Sequence, residues 1–243
     1  MPPLFEILFE DADLLVVNKP ADLVCHPTKG DEYSSLISRA RLHLPGTTPH
    51  LVNRLDRETS GVVVIAKNAA AAGELGRSWE SRTVEKEYLA IVHGWPAADH
   101  AILDGPLGKD EKSRIVIKDC VRPDGSAAST VYTVQQRFTR ENQRFSLLHV
   151  RPQTGRKHQI RIHLAHAGHP IVGDKIYGPD EDCYLALVEN RLTPAQRAQL
   201  ILPHQALHAT CVRFIWRGTK MEFNCAPEKF FRDFISANGP SGG

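Results

Sequence analysis

The chain has 243 residues, of which 42% are hydrophobic and 24% are charged, and its 30 Lys and Arg against 28 Asp and Glu give a net charge of +2. This composition is typical of a folded globular protein and excludes a disordered chain or a histone-like basic protein. No apolar stretch reaches the roughly 18–20 residues that span a bilayer, and the N-terminus lacks the pattern of a secretory signal. The five cysteines include no CxxC pair, so we expect them to be reduced. Together these features predict a cytoplasmic protein that has no membrane partner.

The first half of the chain predicts a β-hairpin, two helices and one buried strand. Apolar runs at 5–9 and 14–17 are separated by a turn-prone acidic stretch, which is typical of a hairpin. Apolar residues at helical spacing predict a helix over 34–44. The continuous apolar run 62–66 predicts a strand that is buried on both faces, and Asn68 is a suitable N-cap for the alanine-rich helix that follows.

The second half of the chain is rich in predicted strands. Apolar, β-branched and aromatic runs predict strands at 87–92, 114–118, 130–138, 145–150, 206–216 and 221–224. A helix is predicted over 156–167, and Gly168 would end it. Thr193 followed by Pro194 suits the start of a short helix.

The order of these elements indicates the fold class. Most strands are neighbours in sequence, and neither an internal repeat nor a long linker divides the chain. We therefore expect an α+β fold in one domain over 1–237, with a largely antiparallel mixed sheet and flanking helices. The glycine-rich end at 238–243 is predicted to be a disordered tail.

Positive charge is concentrated in the window 142–173, which contains no Asp or Glu. The window holds five Lys or Arg residues and five His residues, namely Arg144, Arg151, Arg156, Lys157, Arg161, His149, His158, His163, His166 and His169. Such a surface fits a polyanion, most simply nucleic acid. A solvated face that is balanced by acids such as Glu181 and Asp182 is the alternative, and the charges alone leave both open.

The spacing of His163, His166 and His169 is compatible with a metal site. No Cys, Asp or Glu lies among these histidines, and Arg161 would bring a cation next to the ligands. We therefore predict no metal. An unrelated metal-dependent hydrolase remains an alternative that metal analysis of the purified protein would reveal.

A polar segment at 53–61, Asn-Arg-Leu-Asp-Arg-Glu-Thr-Ser-Gly, leads directly into the strand predicted at 62–66. Asp56 therefore lies at the rim of a sheet, where a rigid scaffold meets solvent. Arg54 and Arg57 should keep its carboxylate ionised. From these residues alone, a catalytic carboxylate and a loop ion pair that caps the strand are both open.

Further blocks of sequence follow this segment in a defined order. The blocks are Asn-Lys-Pro at 18–20, the segment 53–61, Lys-Glu-Tyr-Leu-Ala-Ile-Val-His-Gly at 86–94, Thr-Gly-Arg-Lys-His-Gln-Ile-Arg-Ile-His at 154–163 with its continuation at 168–178, and Gln-Ala-Leu-His-Ala at 205–209. In this order they resemble the motifs of the RluA-type pseudouridine synthases over about residues 5–235. The resemblance implies a pseudouridine-synthase-type catalytic domain with a basic central cleft.

The resemblance also implies a reaction, the isomerisation of a uridine in RNA by base flipping, cleavage of the C1′–N1 bond and reattachment through C5. Asp56 would be the essential carboxylate, and three roles for it stay open: attack on C1′, attack on C6, or removal of the C2′ proton. Tyr88 would stack on the target base, and Ile160 would pack against it. Arg161 would pair with Asp56, while Arg54 would fill the gap that the flipped nucleotide leaves.

By the same resemblance the partner is RNA, either ribosomal or transfer RNA, and neither DNA nor a cofactor is expected. The block at 154–163 is expected to contact the RNA through Arg156, Lys157, His158 and Gln159. The protein is expected to act as a monomer.

Two features depart from the pattern of the family. Asn53 stands where the family usually has His, and the early position of Asp56 leads us to expect a catalytic domain without the S4-type RNA-binding domain that precedes it in many relatives. Neither feature changes Asp56, Tyr88 or Arg161, so the prediction of an enzyme is kept. An RNA-binding or RNA-chaperone protein of the same fold that has lost catalysis is the alternative function.

Overall fold

The computed structural model describes residues 5–27 and 34–236. Within these ranges it contains twelve strands and six helices, which confirms the α+β class. Of the described residues, those up to Glu87 and His208–Glu228 form one compact unit, and Tyr88–Leu207 together with those from Lys229 onward form a second. The predicted tail at 238–243 lies outside the described residues. None of the helices in this part of the chain is long and apolar enough to cross a bilayer.

The elements are numbered in chain order. The strands are β1 (Glu6–Glu10), β2 (Leu14–Lys19), β3 (His50–Leu51), β4 (Ser60–Ala66), β5 (Glu85–His93), β6 (His100–Asp104), β7 (Leu107–Lys109), β8 (Asp119–Val121), β9 (Ser129–Arg140), β10 (Gln143–Pro152), β11 (Leu207–Trp216) and β12 (Thr219–Asn224). The helices are α1 (Leu36–His43), α2 (Ala69–Glu80), α3 (Gln159–His166), α4 (Asp182–Val188), α5 (Pro194–Leu200) and α6 (Lys229–Ser236). Apart from the strand at 114–118, each predicted strand and helix has a counterpart among them.

The first unit is built around strand β4. β1 and β2 form the predicted antiparallel hairpin, and β2 continues antiparallel onto β4. On its other side β4 pairs with β11 in parallel, and β12 returns antiparallel along β11, so the sheet is mixed as predicted. All seven residues of β4 are buried, which accounts for its uninterrupted apolar sequence. Asn68 caps α2 as predicted, because its side chain accepts a hydrogen bond from the Ala71 amide at 2.9 Å.

The second unit is built on an antiparallel sheet. From Tyr88 onward β5 pairs with β10, β10 with β9 and β9 with β6. Residues of α3 and α6 cover the apolar face of these strands and complete one core cluster, which includes Ile91, Phe145, Leu148, Ile160, Leu164, Phe231 and Phe234. Gly168 follows α3 with a φ of +84°, as expected for a glycine that ends a helix.

The strand predicted at 114–118 is wrong. The segment forms turns, and the Lys118 amide donates to the Ile115 carbonyl at 3.0 Å. Ile115 is 2% exposed whereas its neighbour Val116 is 78% exposed, so one side chain anchors the segment. Ion pairs with acids at the start of α4 hold its two ends. A β-branched run can therefore lie on a surface without pairing as a strand.

The helix predicted over 156–167 is shorter than expected at both ends, since α3 covers Gln159–His166. His158 has a φ of +55°, which interrupts any helix before Gln159. The Gln159 side chain accepts a hydrogen bond from the Arg156 amide at 3.0 Å and so closes a turn there. Ala167, the last residue of the predicted helix, is exposed and lies beyond the last helical residue.

Candidate active site

The loop that carries Asp56 comprises residues 53–60 and is called the Asp56 loop below. Asn53 fixes its beginning to strand β4 through both ends of one side-chain amide. Its Nδ2 donates to the Val62 carbonyl at 3.3 Å, and its Oδ1 accepts from the Val64 amide at 2.8 Å. The residue that departs from the family pattern therefore has a defined task here, because it attaches the loop to the buried strand.

Buried groups hold the middle of the Asp56 loop. The Leu55 amide donates to the Cys25 sulfur, and the thiol donates back to the Leu55 carbonyl, both at 3.4 Å. Lys19 is fully buried, and its Nζ donates to three backbone carbonyls, of which that of Arg57 lies at 3.0 Å. Burial lowers the pKa of Lys19 from 10.5 to about 8, so the ammonium stays largely charged at neutral pH. Asp56 is thus flanked on both sides by fixed residues.

The end of the loop is fixed against strand β11. The Ser60 hydroxyl lies 2.8 Å from His208 Nδ1, and His208 Nε2 lies 3.1 Å from the Cys225 carbonyl. Because a carbonyl can only accept, Nε2 carries the proton and Nδ1 accepts from Ser60. Gly61 follows with a φ of +120°, and a Cβ there would lie 2.2 Å from the Ala209 carbonyl oxygen. The two strands are in close backbone contact where the loop ends.

The burial of His208 predicts that the protein loses stability in acid. Burial lowers its pKa from 6.5 to about 4, so the neutral ring is favoured in the folded state. The stability that results is fully present above pH 6.5 and is lost as the pH falls towards 4, by about 3 kcal/mol in total. His208→Gln keeps a donor for the Cys225 carbonyl but cannot titrate. Urea denaturation between pH 7 and 4.5 should therefore show a smaller loss of unfolding free energy in the variant, and parallel pH profiles would contradict this assignment.

Charged side chains near Asp56 differ in their surroundings. Asp56 itself is half-buried, whereas Arg54 is exposed. Arg57 donates through Nε to Asp22 at 2.7 Å, and both of these side chains are largely exposed. An exposed guanidinium at position 54 suits a residue that reaches into a nucleic acid.

Tyr88 and Ile160 belong to the same apolar cluster of the second unit. Tyr88 lies opposite Val150 in the β5–β10 pair and is half-buried. It packs against the core cluster that contains Ile160, which is 6% exposed on α3. Two of the predicted base-contacting residues are therefore part of one apolar surface.

Arg161 follows Ile160 on α3, and a buried carboxylate binds it. Its Nε and Nη2 donate to the two oxygens of Asp174 at 2.7 and 2.9 Å. Burial alone would raise the pKa of Asp174, but the guanidinium and two backbone amides hold it below its usual value. The sequence predicts only Asp56 as the partner of Arg161, and that pairing stays a prediction. Asp174 is a partner that the sequence analysis did not name. Its position in the segment 168–178, which continues the block at 154–163, was the signal that could have identified it.

Gln159, which was assigned to RNA contact, has a buried side chain. Its Oε1 accepts from the Thr154 hydroxyl at 2.6 Å and from the Arg156 amide at 3.0 Å. Its Nε2 donates to the Ser129 carbonyl at 2.9 Å and to the Thr130 hydroxyl at 3.0 Å. All four hydrogen-bonding capacities of the amide are used inside the protein, so the residue shapes the turn before α3.

The other three members of this group lie nearer the surface. Arg156 and Lys157 are exposed, and Lys157 forms an ion pair with Asp119 at 2.8 Å. His158 is half-buried, and its Nδ1 lies 2.9 Å from the Tyr177 hydroxyl. Arg156 and Lys157 are thus accessible to a polyanion, while His158 is engaged by a neighbouring ring.

Glu181 and Asp182, the acids named above as able to neutralise the window 142–173, are used elsewhere, although Lys157 and Arg161 of the window pair with Asp119 and Asp174. Glu181 pairs with Lys118 and Asp182 pairs with Arg114, and both cations lie outside the window. Within residues 5–27 and 34–236, three exposed guanidinium groups of the window have no carboxylate partner, those of Arg144, Arg151 and Arg156. The balance of charge favours a surface for a polyanion over a neutralised face.

The histidine cluster has ordinary hydrogen-bond partners. His163 uses both ring nitrogens, at 2.8 Å from the Thr130 hydroxyl and 2.9 Å from the Gly105 carbonyl. His169 Nδ1 lies 3.0 Å from the His93 carbonyl. In the part of the chain that the structure describes, no group of three or more His, Cys, Asp or Glu residues is arranged to hold a metal ion.

Comparison with models of protein families matches residues 13–166 to the RNA pseudouridylate synthases. The matched segment makes up more than half of the chain. It includes the blocks at 18–20, 53–61, 86–94 and 154–163 on which the resemblance rests.

Individual relatives agree with the family match. The chain is 38% identical over 211 residues to ribosomal large subunit pseudouridine synthase D from Nitrosomonas europaea, which covers 84% of this chain and 56% of the relative. It is 32% identical over 245 residues to the Yersinia pestis protein of the same name, which covers 96% of this chain and 70% of the relative. The solved structure of Human RNA Pseudouridylate Synthase Domain Containing 1 matches with a TM-score of 0.74 and 26% identity over 93% of this chain and 84% of that chain. The chain thus spans little more than half the length of the Nitrosomonas protein.

Proposed function

Because the chain belongs to the RNA pseudouridylate synthase family, we propose that it isomerises a uridine in a structured RNA to pseudouridine. In this reaction the C1′–N1 bond breaks, the uracil turns, and a C1′–C5 bond forms while C5 loses its proton. The observation that carries the proposal is the Asp56 loop. Its half-buried carboxylate stands between anchors that other side chains make on both sides.

Asp56 is the essential carboxylate of the proposal. It attacks C1′, attacks C6 of the uracil, or removes the C2′ proton, and a carboxylate suits each of these roles as nucleophile or as base. A rigid loop serves all three, because a misplacement of about 1 Å lowers a rate by about 10²-fold. None of the three needs a redox step or an external group, so the proposal includes neither a metal nor an organic cofactor.

The target base leaves its stack before Asp56 can reach C1′. In the proposal the flipped uracil stacks on the Tyr88 ring, which supplies about 1–3 kcal/mol, and packs against Ile160. Arg161 pairs with the Asp56 carboxylate and orients it. The exposed Arg54 guanidinium fills the gap in the RNA, where a lysine would stack poorly.

The RNA backbone binds to the acid-free window 142–173 and its surroundings. The exposed cations proposed to contact phosphates are Arg144, Arg151, Arg156 and Lys157. In the proposal they belong to the basic cleft that the resemblance implies. His158 and Gln159 support this surface by fixing the turn that carries Arg156 and Lys157. Binding should weaken as the salt concentration rises.

Ribosomal RNA is the first candidate substrate, because two of the relatives are named as synthases of the large ribosomal subunit. Transfer RNA is the second. We propose that the protein acts as a cytoplasmic monomer whose partner is RNA rather than DNA or a membrane.

Tritium release from 5-tritiated uridine tests the proposal directly, since forming the C1′–C5 bond expels the C5 hydrogen. RNA is labelled in cells that lack the protein, and the ribosomal and transfer pools are incubated separately with the purified chain. We expect release from the ribosomal pool. Release from transfer RNA alone would support the proposed reaction but identify transfer RNA, rather than ribosomal RNA, as the substrate. No release from either pool would contradict the proposal and favour an RNA-binding or chaperone protein of the same fold.

A further inference from the structure

We propose that Asp174 is a positioning residue, which holds the Arg161 guanidinium in one orientation at the reaction centre. The inference rests on the proposed function, because that is where Arg161 is assigned a contact with the Asp56 carboxylate. It goes beyond that function by naming the group that sets the direction of the arginine.

The contact between the two side chains has the geometry of a fork. Arg161 donates from Nε and Nη2 to different oxygens of one carboxylate, which fixes the plane of the guanidinium as well as its distance. Asp174 is 1% exposed and Arg161 is 5% exposed, so water does not compete for either group. The fork uses two of the five N–H donors of the arginine.

The carboxylate is itself fixed by its own turn. Asp174 Oδ1 also accepts from the amides of Ile176 at 2.9 Å and Tyr177 at 3.0 Å. These two bonds do not involve Arg161, so they hold the carboxylate in place independently of it. The turn is the rigid part of the pair, and the long arginine side chain adapts to it.

An aromatic ring holds the face of the guanidinium. The Arg161 Cζ lies 5.0 Å from the centre of the Tyr177 ring. The Tyr177 hydroxyl accepts from the Asp119 amide at 3.2 Å and lies 2.9 Å from His158 Nδ1, so the ring is held at its far end as well. Edge and face of the guanidinium are therefore both held by residues 174–177.

The first test compares Asp174→Asn with Asp182→Asn. The amide keeps the shape of Asp174 but removes the charge and turns one acceptor of the fork into a donor. We expect kcat for tritium release to fall by about 10²-fold, the effect of a small misplacement, while KM stays nearly unchanged. Asp182→Asn removes the same charge from an exposed ion pair with Arg114 and should leave both constants near wild type. A folded Asp174→Asn protein with wild-type kcat would overturn the proposal, as would a rise in KM alone.

The second test does not depend on the folding of an Asp174 variant or on activity. In the wild-type protein the Arg161 Nε–H should give a nitrogen-15 NMR signal that is protected from exchange with water. The signal is assigned by its absence from Arg161→Lys. A rapidly exchanging Nε–H would overturn the positioning role. If the signal is protected and wild-type protein releases no tritium, the contact stands and the proposed function fails, so the two failures are distinguishable.

Discussion

An Asp56→Asn variant is expected to lose tritium release by about 10⁴-fold or more while it keeps its fold and its affinity for RNA. Asparagine has the shape of aspartate, but its amide is neither a nucleophile nor a base for any of the three proposed roles. The anchors of the Asp56 loop are made by other side chains, among them Lys19, Cys25, Asn53 and Ser60. The loop should therefore keep its conformation when the charge is removed.

Asp22→Asn is the matched control for this variant. This substitution also removes one carboxylate charge close to the Asp56 loop, since Asp22 forms an exposed ion pair with Arg57 of that loop. Its φ of +66° also suits asparagine. Exposed pairs contribute at most about 1 kcal/mol, so activity should stay within about 5-fold of wild type. Single-turnover tritium release and filter binding to RNA measure the two properties separately. Comparable turnover in Asp56→Asn would contradict the catalytic role.

Elements with strong local signals could be predicted from the sequence. The β1–β2 hairpin, the apolar strand β4 and the Asn68 cap of α2 each depend on neighbours a few residues away. Helix α6 was not predicted, because its buried Phe231 and Phe234 become informative only once they pack against the core cluster of the second unit. The strand predicted at 114–118 was wrong because its apolar run has no neighbouring strand to pair with.

In the candidate site, too, some residues could be predicted from the sequence and others could not. Asp56, Tyr88 and Ile160 could be named because their sequence blocks resemble those of a family. The groups that support them could not be named, because the contacts join distant parts of the chain. Lys19 reaches the Arg57 carbonyl across 38 residues, and Ser60 reaches His208 across 148. Spacing in a single sequence carries no signal for such pairs, and only the folded chain brings them together.

The second large effect is expected at Gly61, where alanine should lower the free energy of unfolding by about 4 kcal/mol or more. A Cβ at this position would lie 2.2 Å from the Ala209 carbonyl oxygen and 2.6 Å from its nitrogen. Both atoms belong to the backbone of β11, which pairs with β4 at this point, so no side chain can move aside. The φ of +120° adds strain for any residue with a side chain.

Gly218→Ala separates the contact from the backbone strain. Gly218 lies in the turn between β11 and β12 with a φ of +81°, and a Cβ there would meet nothing within 4 Å. Its substitution should therefore show only the strain of a positive φ, about 1 kcal/mol. Urea denaturation of both variants at pH 7 measures the difference. Equal losses would mean that β4 and β11 can separate easily at Gly61. In that case the end of the Asp56 loop would lack the rigid support that the proposed chemistry requires.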